Sequence, residues 1–167
     1  MNNKYVTFAV MLPLLAIAFM IVRAELSINQ GTQWQLQIQG YDPRDLLRGH
    51  YLRFQVAYNF KSEQESCAGT SDCCLCLNDV GETVPLVSKL DCKVAKTQCD
   101  SIIRSEFERS LNRYYIAEDY ARKAEKILQE AQIQDNAFLS IAVSEKGKPV
   151  ITDLLIGEKP INDLLKK

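Results

Sequence analysis

Four basic side chains lie close together between residues 40 and 54. Arg44, Arg48 and Arg53 carry guanidinium groups, which donate paired hydrogen bonds to carboxylates and phosphates. His50 is the one histidine in the chain, and an imidazole changes charge close to neutral pH. These four residues form the candidate binding site, which could take a small anion, a lipid headgroup or an acidic loop. No residue of the chain is assigned a catalytic role.

Turn geometry alone explains other residues of this stretch. The Asp42 carboxylate can accept backbone N–H bonds, and Pro43 fixes the backbone angle that begins a turn. Asp45 begins what reads as one helical turn, which Gly49 ends in a left-handed conformation. On this structural interpretation the two loop arginines pair with the aspartates and nearby carbonyl groups, and Tyr51 starts the next strand. The functional interpretation then depends on the arginines and the histidine.

A second group of reactive residues is a cluster of six cysteines: Cys67, Cys73, Cys74, Cys76, Cys92 and Cys99. In an oxidising compartment such a cluster forms disulfides, and six cysteines allow about fifteen pairings. The neighbours Cys73 and Cys74 are not expected to bond to each other, because that bond would be strained. A zinc site is the alternative, although Cys74 and Cys76 have only C-x-C spacing. Free or redox-active thiols are a third possibility.

The composition argues against several functions. The net charge is −1 and no long basic run occurs, so nucleic acid is not an expected partner. The chain contains no glycine-rich phosphate loop, no G-x-S-x-G elbow and no H-E-x-x-H metal motif. We therefore predict no cofactor and no metal, and the absence of catalytic motifs weighs against an enzyme. Hydrophobic residues at 47% and charged residues at 25% are typical of a globular protein.

The N-terminal segment has the properties of a membrane anchor. Residues 5–22 contain no charged side chain and span about 27 Å as a helix, close to the hydrocarbon thickness of a membrane. Lys4 lies on the N-terminal flank, whereas Arg23 on the other flank is offset by Glu25. The positive-inside rule then places the N-terminus in the cytoplasm and the rest of the chain outside it.

We predict a division of the chain at the end of this segment. Residues 1–23 are expected to be the cytoplasmic N-terminus and an uncleaved anchor, and residues 24–167 a single extracytoplasmic domain. A cleaved signal peptide is an alternative, but the residues that end at Ala24 fit a cleavage site poorly. A buried core helix is the other alternative, and its apolar circumference would be unusual in so small a domain.

Two strand patterns flank the basic stretch. Residues 33–39 alternate strictly between polar and apolar, which places Trp34, Leu36 and Ile38 on one buried face. Residues 51–60 are rich in aromatic and β-branched side chains and largely repeat the alternation. The basic stretch is therefore expected to connect two strands.

The cysteines lie in the segment that follows. Residues 61–81 are polar and predict a loop insertion, which extends with its flanks over about residues 61–99 and is held by disulfides. Residues 82–90 predict a short strand, and Pro85 indicates an edge position for it. Residues 101–116 are ambiguous between a helix and a strand, and periodicity does not decide between them, although the run at residues 113–116 is β-like.

The C-terminal part predicts one helix and a hairpin. Residues 118–131 carry a single apolar stripe, formed by Tyr120, Ala121, Ala124, Ile127, Leu128 and Ala131. Residues 137–143 and 150–156 predict two strands, with a hairpin turn at residues 145–148. The last apolar residues, Ile161, Leu164 and Leu165, are expected to dock on the sheet. The predicted fold class is α+β: a transmembrane helix, then a mostly antiparallel sheet with one main α-helix and a disulfide-stapled loop insertion.

The basic stretch also carries a resemblance. Asp42-Pro43-Arg44-Asp45-Leu46-Leu47-Arg48-Gly49-His50-Tyr51 resembles the signature of the GDYxxLxY family, membrane-anchored bacterial proteins of unknown function. The family pattern is D-P-R-D-x-x-R-G-D-Y followed by x-x-L-x-Y. This chain departs from it at His50, where the pattern has aspartate, at Phe54, where it has leucine, and at Val56, where it has tyrosine. Residues 113–118 also resemble the family, as do the later helix, the hairpin and the segment Leu154-Leu155-Ile156-Gly157.

The resemblance implies an anchored domain more than an activity. Relatives resemble partners of a polytopic membrane protein encoded nearby, and the family has no established catalytic residues. It also favours a strand over residues 101–116, and the cysteine insertion is not part of the family pattern. If the position of His50 matters, the histidine makes it sensitive to pH near neutrality.

Two hypotheses for function follow. The first is a non-enzymatic accessory domain on the outer face of a bacterial inner membrane, in the periplasm or outside, which docks on a polytopic membrane protein through the Asp42–Tyr51 loop. The second is a small-anion-binding protein or an enzyme that uses Arg44, Arg48 and His50, and it predicts a concave pocket beside the loop. A redox role for the cysteines ranks third, because the C-x-x-C arrangement is missing.

Overall fold

A computed structural model of the protein describes residues 3–41, 51–65, 67 and 72–166. Helix α1 (Asn3–Asn29) comprises the uncharged N-terminal segment and continues past it. Its part Phe8–Asn29 is long and apolar enough to cross a membrane, and the apolar window within it is 0% buried against the rest of the protein. Pro13 lies inside this helix, and membrane helices tolerate such a proline.

The remaining elements form two sheets and several short helices. The strands are β1 (Thr32–Tyr41), β2 (Tyr51–Ala57), β3 (Asn59–Glu65), β4 (Cys73–Asn78), β5 (Leu86–Asp91), β6 (Ser101–Arg104), β7 (Arg113–Tyr115), β8 (Ala137–Val143), β9 (Pro149–Ile156) and β10 (Lys159–Pro160). The α-helices after α1 are α2 (Cys92–Gln98), α3 (Ser105–Glu108), α4 (Ala121–Ile133) and α5 (Ile161–Leu165). Short 3-10 helices cover Arg109–Asn112 and Glu118–Tyr120.

The larger sheet has six strands in the order β10-β9-β8-β1-β2-β7, and all of its pairings are antiparallel. The alternation predicted for β1 is confirmed, because Leu36 and Ile38 are buried and Trp34 packs against the same core. The hairpin of β8 and β9 is also confirmed, with its turn closed by a hydrogen bond from the Gly147 N–H to the Ser144 carbonyl (2.8 Å).

Helix α4 covers the inward face of this sheet and contacts β1, β2 and β8. Its stripe is confirmed at Ala124, Leu128 and Ala131, which are buried. Tyr120 was expected to belong to the stripe but is 41% exposed, because it lies in the 3-10 turn before the helix. Helix α5 contacts α4 and β9 and, as predicted, docks through the last apolar residues, with Ile161 and Leu165 buried.

The smaller sheet has four strands in the order β3-β5-β4-β6, with β3 and β5 parallel and the other pairs antiparallel. The predicted loop insertion is wrong here, since most of its described residues form strands and helix α2. The physical reason lies in β4, where Leu75 and Leu77 face the common core at 2% and 0% exposure. The insertion therefore contributes to the core of the domain.

Two other segments differ from their predictions. Strand β5 lies between β3 and β4 and is not an edge strand; Pro85 precedes it, so the missing N–H does not interrupt the ladder. Residues 101–115 are neither one helix nor one strand. They form β6, helix α3, a 3-10 turn and β7 in succession, with Leu111 buried between the two strands. The α+β class with disulfides and an N-terminal apolar helix is confirmed.

Candidate functional site

Most of the predicted site lies outside the described residues. This applies to the basic residues Arg44, Arg48 and His50, and also to the motif residues Asp42, Pro43, Asp45 and Gly49. Their roles stay predictions. Tyr51 and Arg53 are described, and both lie at the start of β2, directly after the loop.

Strand β2 sorts its side chains between the two faces of the sheet. Leu52 and Phe54 point inward and are buried at 3% and 2% exposure. The alternation of a strand then directs Tyr51 and Arg53 to the outward face, where Arg53 is exposed. The last residue of the motif and the fourth predicted basic residue thus share one surface.

Pairing with β7 adds two side chains to that surface. Arg53 lies opposite Arg113, and Tyr51 lies opposite Tyr115. The two tyrosine rings meet edge to face with centroids 6.1 Å apart, and the Arg113 guanidinium lies 5.2 Å from the centroid of the Tyr51 ring. These distances fit an aromatic pair and a cation–π contact. We call Tyr51, Arg53, Arg113 and Tyr115 the arginine–tyrosine patch.

Sequence reasoning did not assign Arg113 and Tyr115 to the site. Residues 113–116 are predicted to be β-like, and the alternation of a strand separates Tyr114 from the two outward residues. The missing information was the pairing partner, because a three-residue strand gives no signal for the strand beside which it lies. The fold brings this run next to the end of the motif.

The arginine–tyrosine patch lies at the end of the larger sheet that is remote from helix α1. Helix α1 leads into β1 at Thr32, where Thr32 pairs with Val143 of β8, and α1 contacts β8 there. The ten residues of β1 then extend about 30 Å to Tyr41. Tyr41 pairs with Phe54, and the start of β2 lies beyond that pair.

A hydrogen-bonded group lies behind the patch on the inward side. The Tyr114 hydroxyl is 3.4 Å from the Asp153 carboxylate and accepts a hydrogen bond from the Asn162 amide at 3.1 Å. Burial raises the pKa of Tyr114, and the Asp153 charge raises it further. Because Asp153 is on β9, four strands away from β7 in the sheet order, this contact shows that the sheet is strongly curved. We interpret the group as a structural closure of the sheet.

Two clefts lie elsewhere on the domain. One of about 430 Å³ is lined by Asp72, Cys73, Arg104, Ser105, Glu106 and Arg109. The other, of about 320 Å³, is lined by Gln33, Trp34, Gln35, Asp79, Glu82, Thr83, Pro85 and Ser140. The Trp34 indole N–H has no hydrogen-bond partner among the described residues, but it is buried, so a ligand in the cleft would not reach it. Neither cleft is lined by Arg53.

The predicted disulfides are confirmed, and the structure gives the pairing that the sequence left open. The three bonds are Cys67–Cys73, Cys74–Cys92 and Cys76–Cys99. These bonds use all six cysteines, and the neighbours Cys73 and Cys74 are not bonded to each other. Cys74 and Cys76 are alternate residues of β4 and so point to the same face. They hold the two ends of helix α2, at its first residue and just after its last.

Comparison with known protein families identifies the chain. The family model described as GDYXXLXY protein matches residues 13–154, a range that includes the loop motif and both strands of the arginine–tyrosine patch. The chain belongs to the GDYXXLXY family. Comparison with curated proteins and with solved structures gives no match.

In this GDYXXLXY protein, family membership and the apolar helix are compatible with a membrane-anchored domain. The described part of its candidate site is an exposed, cationic and aromatic surface on a sheet. A surface of this kind suits recognition of a negatively charged group, since arginine donates hydrogen bonds while its plane stacks on a ring. Among the described residues, the patch brings no nucleophile and general base together.

Proposed function

We propose that this protein is a membrane-anchored interaction domain that docks on a polytopic membrane protein through the Asp42–Tyr51 loop. On this proposal the N-terminus lies in the cytoplasm and the domain on the outer face of a bacterial inner membrane. The observation that carries it is helix α1, whose apolar window of mean hydropathy 2.0 is 0% buried in the protein. An exposed apolar surface of this length needs a membrane or a partner to cover it.

The disulfides support the same location. Three disulfides persist in an oxidising compartment and are rare in the cytosol. The anchor would then hold the domain where these bonds form, with Lys4 on the cytoplasmic side.

Limited proteolysis of intact spheroplasts tests the topology. We expect added protease to digest the domain while a cytoplasmic marker survives. A domain that resists digestion while an outer-face control is cut would contradict the topology.

Site-specific crosslinking in living cells tests the docking. A photo-crosslinker at Arg48 is expected to give a discrete adduct with a polytopic membrane protein. The matched control carries the crosslinker at Lys126, an exposed residue of α4 outside the loop. If every loop position leaves only the unmodified band, docking through the loop is wrong.

A second candidate function is binding of a small anion, or an enzyme acting on one, through Arg44, Arg48 and His50. The specific observation in its favour is that Arg53 and Arg113 lie opposite each other where β2 leaves the loop. Titration of the full chain in detergent with phosphate and with citrate tests it, with Arg48→Gln as the control variant. Binding by both proteins with equal affinity, or by neither, would remove this candidate.

A further inference from the structure

We propose that the β8–β9 turn, residues 144–148, lies on the membrane surface beside the anchor, where Lys146 and Lys148 bind the phosphate groups of lipid headgroups. This inference rests on the membrane anchor of the proposed function, but it does not depend on docking through the loop. It gives the domain a second point of attachment, which would fix the orientation of the larger sheet above the membrane.

The anchor joins the domain without a long linker. Helix α1 ends at Asn29 and strand β1 begins at Thr32, so only Gln30 and Gly31 lie between them. Gln30 and Gly31 each donate a backbone hydrogen bond to a carbonyl near the end of the helix, at 3.0 and 3.3 Å. The connection therefore continues the hydrogen bonding of α1, and the strand leaves the helix in a defined direction.

Further contacts hold this junction in place. The Gln33 side-chain amide donates to the Ile28 carbonyl at 3.3 Å, which satisfies an acceptor at the helix end. A Cβ added at Gly31 would lie 3.2 Å from the Ala142 Cβ and 3.2 Å from the Val143 carbonyl oxygen, so the backbone approaches β8 closely. We therefore expect the anchor and the adjoining end of the sheet to move as one body.

The length of α1 places the sheet close to the lipid. Residues 5–22 fill the hydrocarbon region, and the helix continues from Arg23 to Asn29, about 10 Å. The headgroup layer takes up about 6 Å of that length. The helix thus projects only about 4 Å beyond the headgroups before the sheet begins, and any tilt shortens that distance.

The β8–β9 turn lies at this end of the sheet. Thr32 at the start of β1 pairs with Val143 at the end of β8, and the two strands are antiparallel. The residues after Val143 therefore extend past the start of β1, on the side from which α1 enters. The Arg104 N–H donates to the Gly147 carbonyl at 3.1 Å, so the smaller sheet supports the turn in this position.

The charges of the turn suit a phosphate surface. Lys146 and Lys148 are exposed, and no ion pair joins either ammonium group to another residue of the described chain. Two lysines against Glu145 give the turn a net charge of +1, and the nearby Arg104 is paired with Glu106 at 3.4 Å.

Lysine is the residue type that such a contact needs. Its ammonium group binds phosphate as a point charge at the end of a flexible stem, which reaches further than the glutamate side chain. Each basic residue at an anionic lipid surface strengthens the attraction by about fivefold. The headgroup layer is the anionic surface that the anchor brings within reach of both lysines.

Paramagnetic relaxation in lipid nanodiscs tests the position. The isotope-labelled full chain is placed in discs of phosphatidylcholine and phosphatidylglycerol that carry a gadolinium-chelating lipid. Gly147 in the β8–β9 turn and Gly157 after β9 are matched probes, because both are turn glycines with positive φ and the eight residues of β9 separate them by about 26 Å. We expect strong broadening of the Gly147 amide resonance and little at Gly157. Equal broadening at the two glycines would overturn the placement of the turn.

Charge variants test the chemistry. Lys146→Glu with Lys148→Glu should reduce the relaxation effect at Gly147 by about threefold or more, because repulsion replaces attraction. Lys146→Arg with Lys148→Arg should leave it unchanged, since the charge is kept. Lys126→Glu with Lys159→Glu, which reverses two exposed charges away from the turn, is the matched control and should also leave it unchanged. Thermal unfolding of each variant checks the fold.

Two conditions test the unaltered protein. The effect at Gly147 should fall as salt is added and should be smaller in discs without phosphatidylglycerol, because both changes weaken attraction to the surface. An effect that is insensitive to salt, or that persists in the double glutamate variant, would show that the junction alone holds the turn there. Headgroup binding would then be wrong. Its loss in the double arginine variant would also overturn it.

The remaining outcomes separate this inference from the proposed function. If an alkaline carbonate wash removed the chain from native membranes, the anchor would be wrong and this inference would fail with it. A crosslinked adduct from Arg48 without broadening at Gly147 would overturn the membrane contact while docking stands. Broadening at Gly147 that depends on the lysines, without any adduct from the loop, would support the contact and contradict the docking.

Discussion

The two sheets contribute to one hydrophobic core but cover their outer faces differently. The four-stranded sheet places Cys74 and Cys76 outward, and helix α2 closes over them with a small cluster that includes Ala95 and Ile102. The six-stranded sheet exposes its outer face around the patch, where Tyr115 remains 74% exposed. Helix α2 has seven residues and is too short to be stable alone. Since it buries few residues, the disulfides hold it in place.

The outer face of the smaller sheet therefore has a structural role, whereas that of the larger sheet is exposed around the patch. The cysteines, which could have indicated zinc or redox chemistry, fix a cover over a sheet and leave no thiol. Among the described residues, the outer face of the larger sheet carries exposed side chains at the patch, such as Arg53 and Tyr115. Three predictions test the comparison, beginning with the largest effect.

Removing the disulfide at the end of α2 should have the largest effect on stability. The loop-entropy estimate is about 3 kcal/mol for Cys76→Ala with Cys99→Ala, because a longer loop is released. The matched control, Cys67→Ala with Cys73→Ala, opens a short loop and should cost about 2 kcal/mol. Urea unfolding of the full chain in detergent micelles measures both values.

Hydrogen exchange locates the change. Amides of α2 should exchange faster in the first variant and remain protected in the control, while those of β8 are unchanged in both. Equal exchange of α2 in the two variants would mean that packing alone holds this helix, and the comparison between the sheets would be wrong.

The next test concerns the contact between the two sheets. Gly147 has φ +75°, and an added Cβ would lie 3.2 Å from the Ile102 carbonyl oxygen of the smaller sheet. The Arg104 N–H also donates to the Gly147 carbonyl at 3.1 Å. Gly147→Ala should therefore cost about 2 kcal/mol, from left-handed strain and from crowding.

Gly81→Ala is the control for that experiment. Gly81 has φ +76°, and nothing lies within 4 Å of an added Cβ, so only the strain of about 1 kcal/mol applies. The difference between the two variants in urea unfolding measures the close approach of the sheets. Equal losses would show that the turn yields and that the sheets are not tightly joined there.

The sequence was sufficient for elements whose pattern is local. The alternation around Leu36 and the helical stripe through Leu128 follow from the burial of one face, and both were predicted. Strand β4 was not, because burial on both faces removes alternation and its cysteines resemble a loop cluster. The pairing of Arg53 with Arg113 was also beyond the sequence, since register between distant strands depends on the whole fold.

The smallest effect concerns the closure of the larger sheet by Tyr114. Tyr114→Phe removes its hydrogen bonds with Asp153 and Asn162 and should cost about 1 kcal/mol at pH 7. Burial and Asp153 raise the pKa of Tyr114 in the folded state. Above about pH 10 a tyrosine in the unfolded chain loses its proton while Tyr114 keeps it, so rising pH favours unfolding. The stability due to Tyr114 is therefore present below pH 10 and declines above it.

Between pH 9 and 11 the free energy of unfolding should therefore fall less for Tyr114→Phe than for the natural protein. The difference in stability between the two proteins should narrow over this range. Urea unfolding at stepped pH measures this. Tyr58→Phe is the matched comparison at the junction of the sheets, because burial and then Glu108 raise the pKa of Tyr58. Tyr58→Phe should likewise make the loss of unfolding free energy at alkaline pH smaller than in the natural protein. A Tyr114→Phe protein whose stability falls as steeply as the natural one would show that this hydroxyl ionises normally, and the closure would then depend on apolar packing alone.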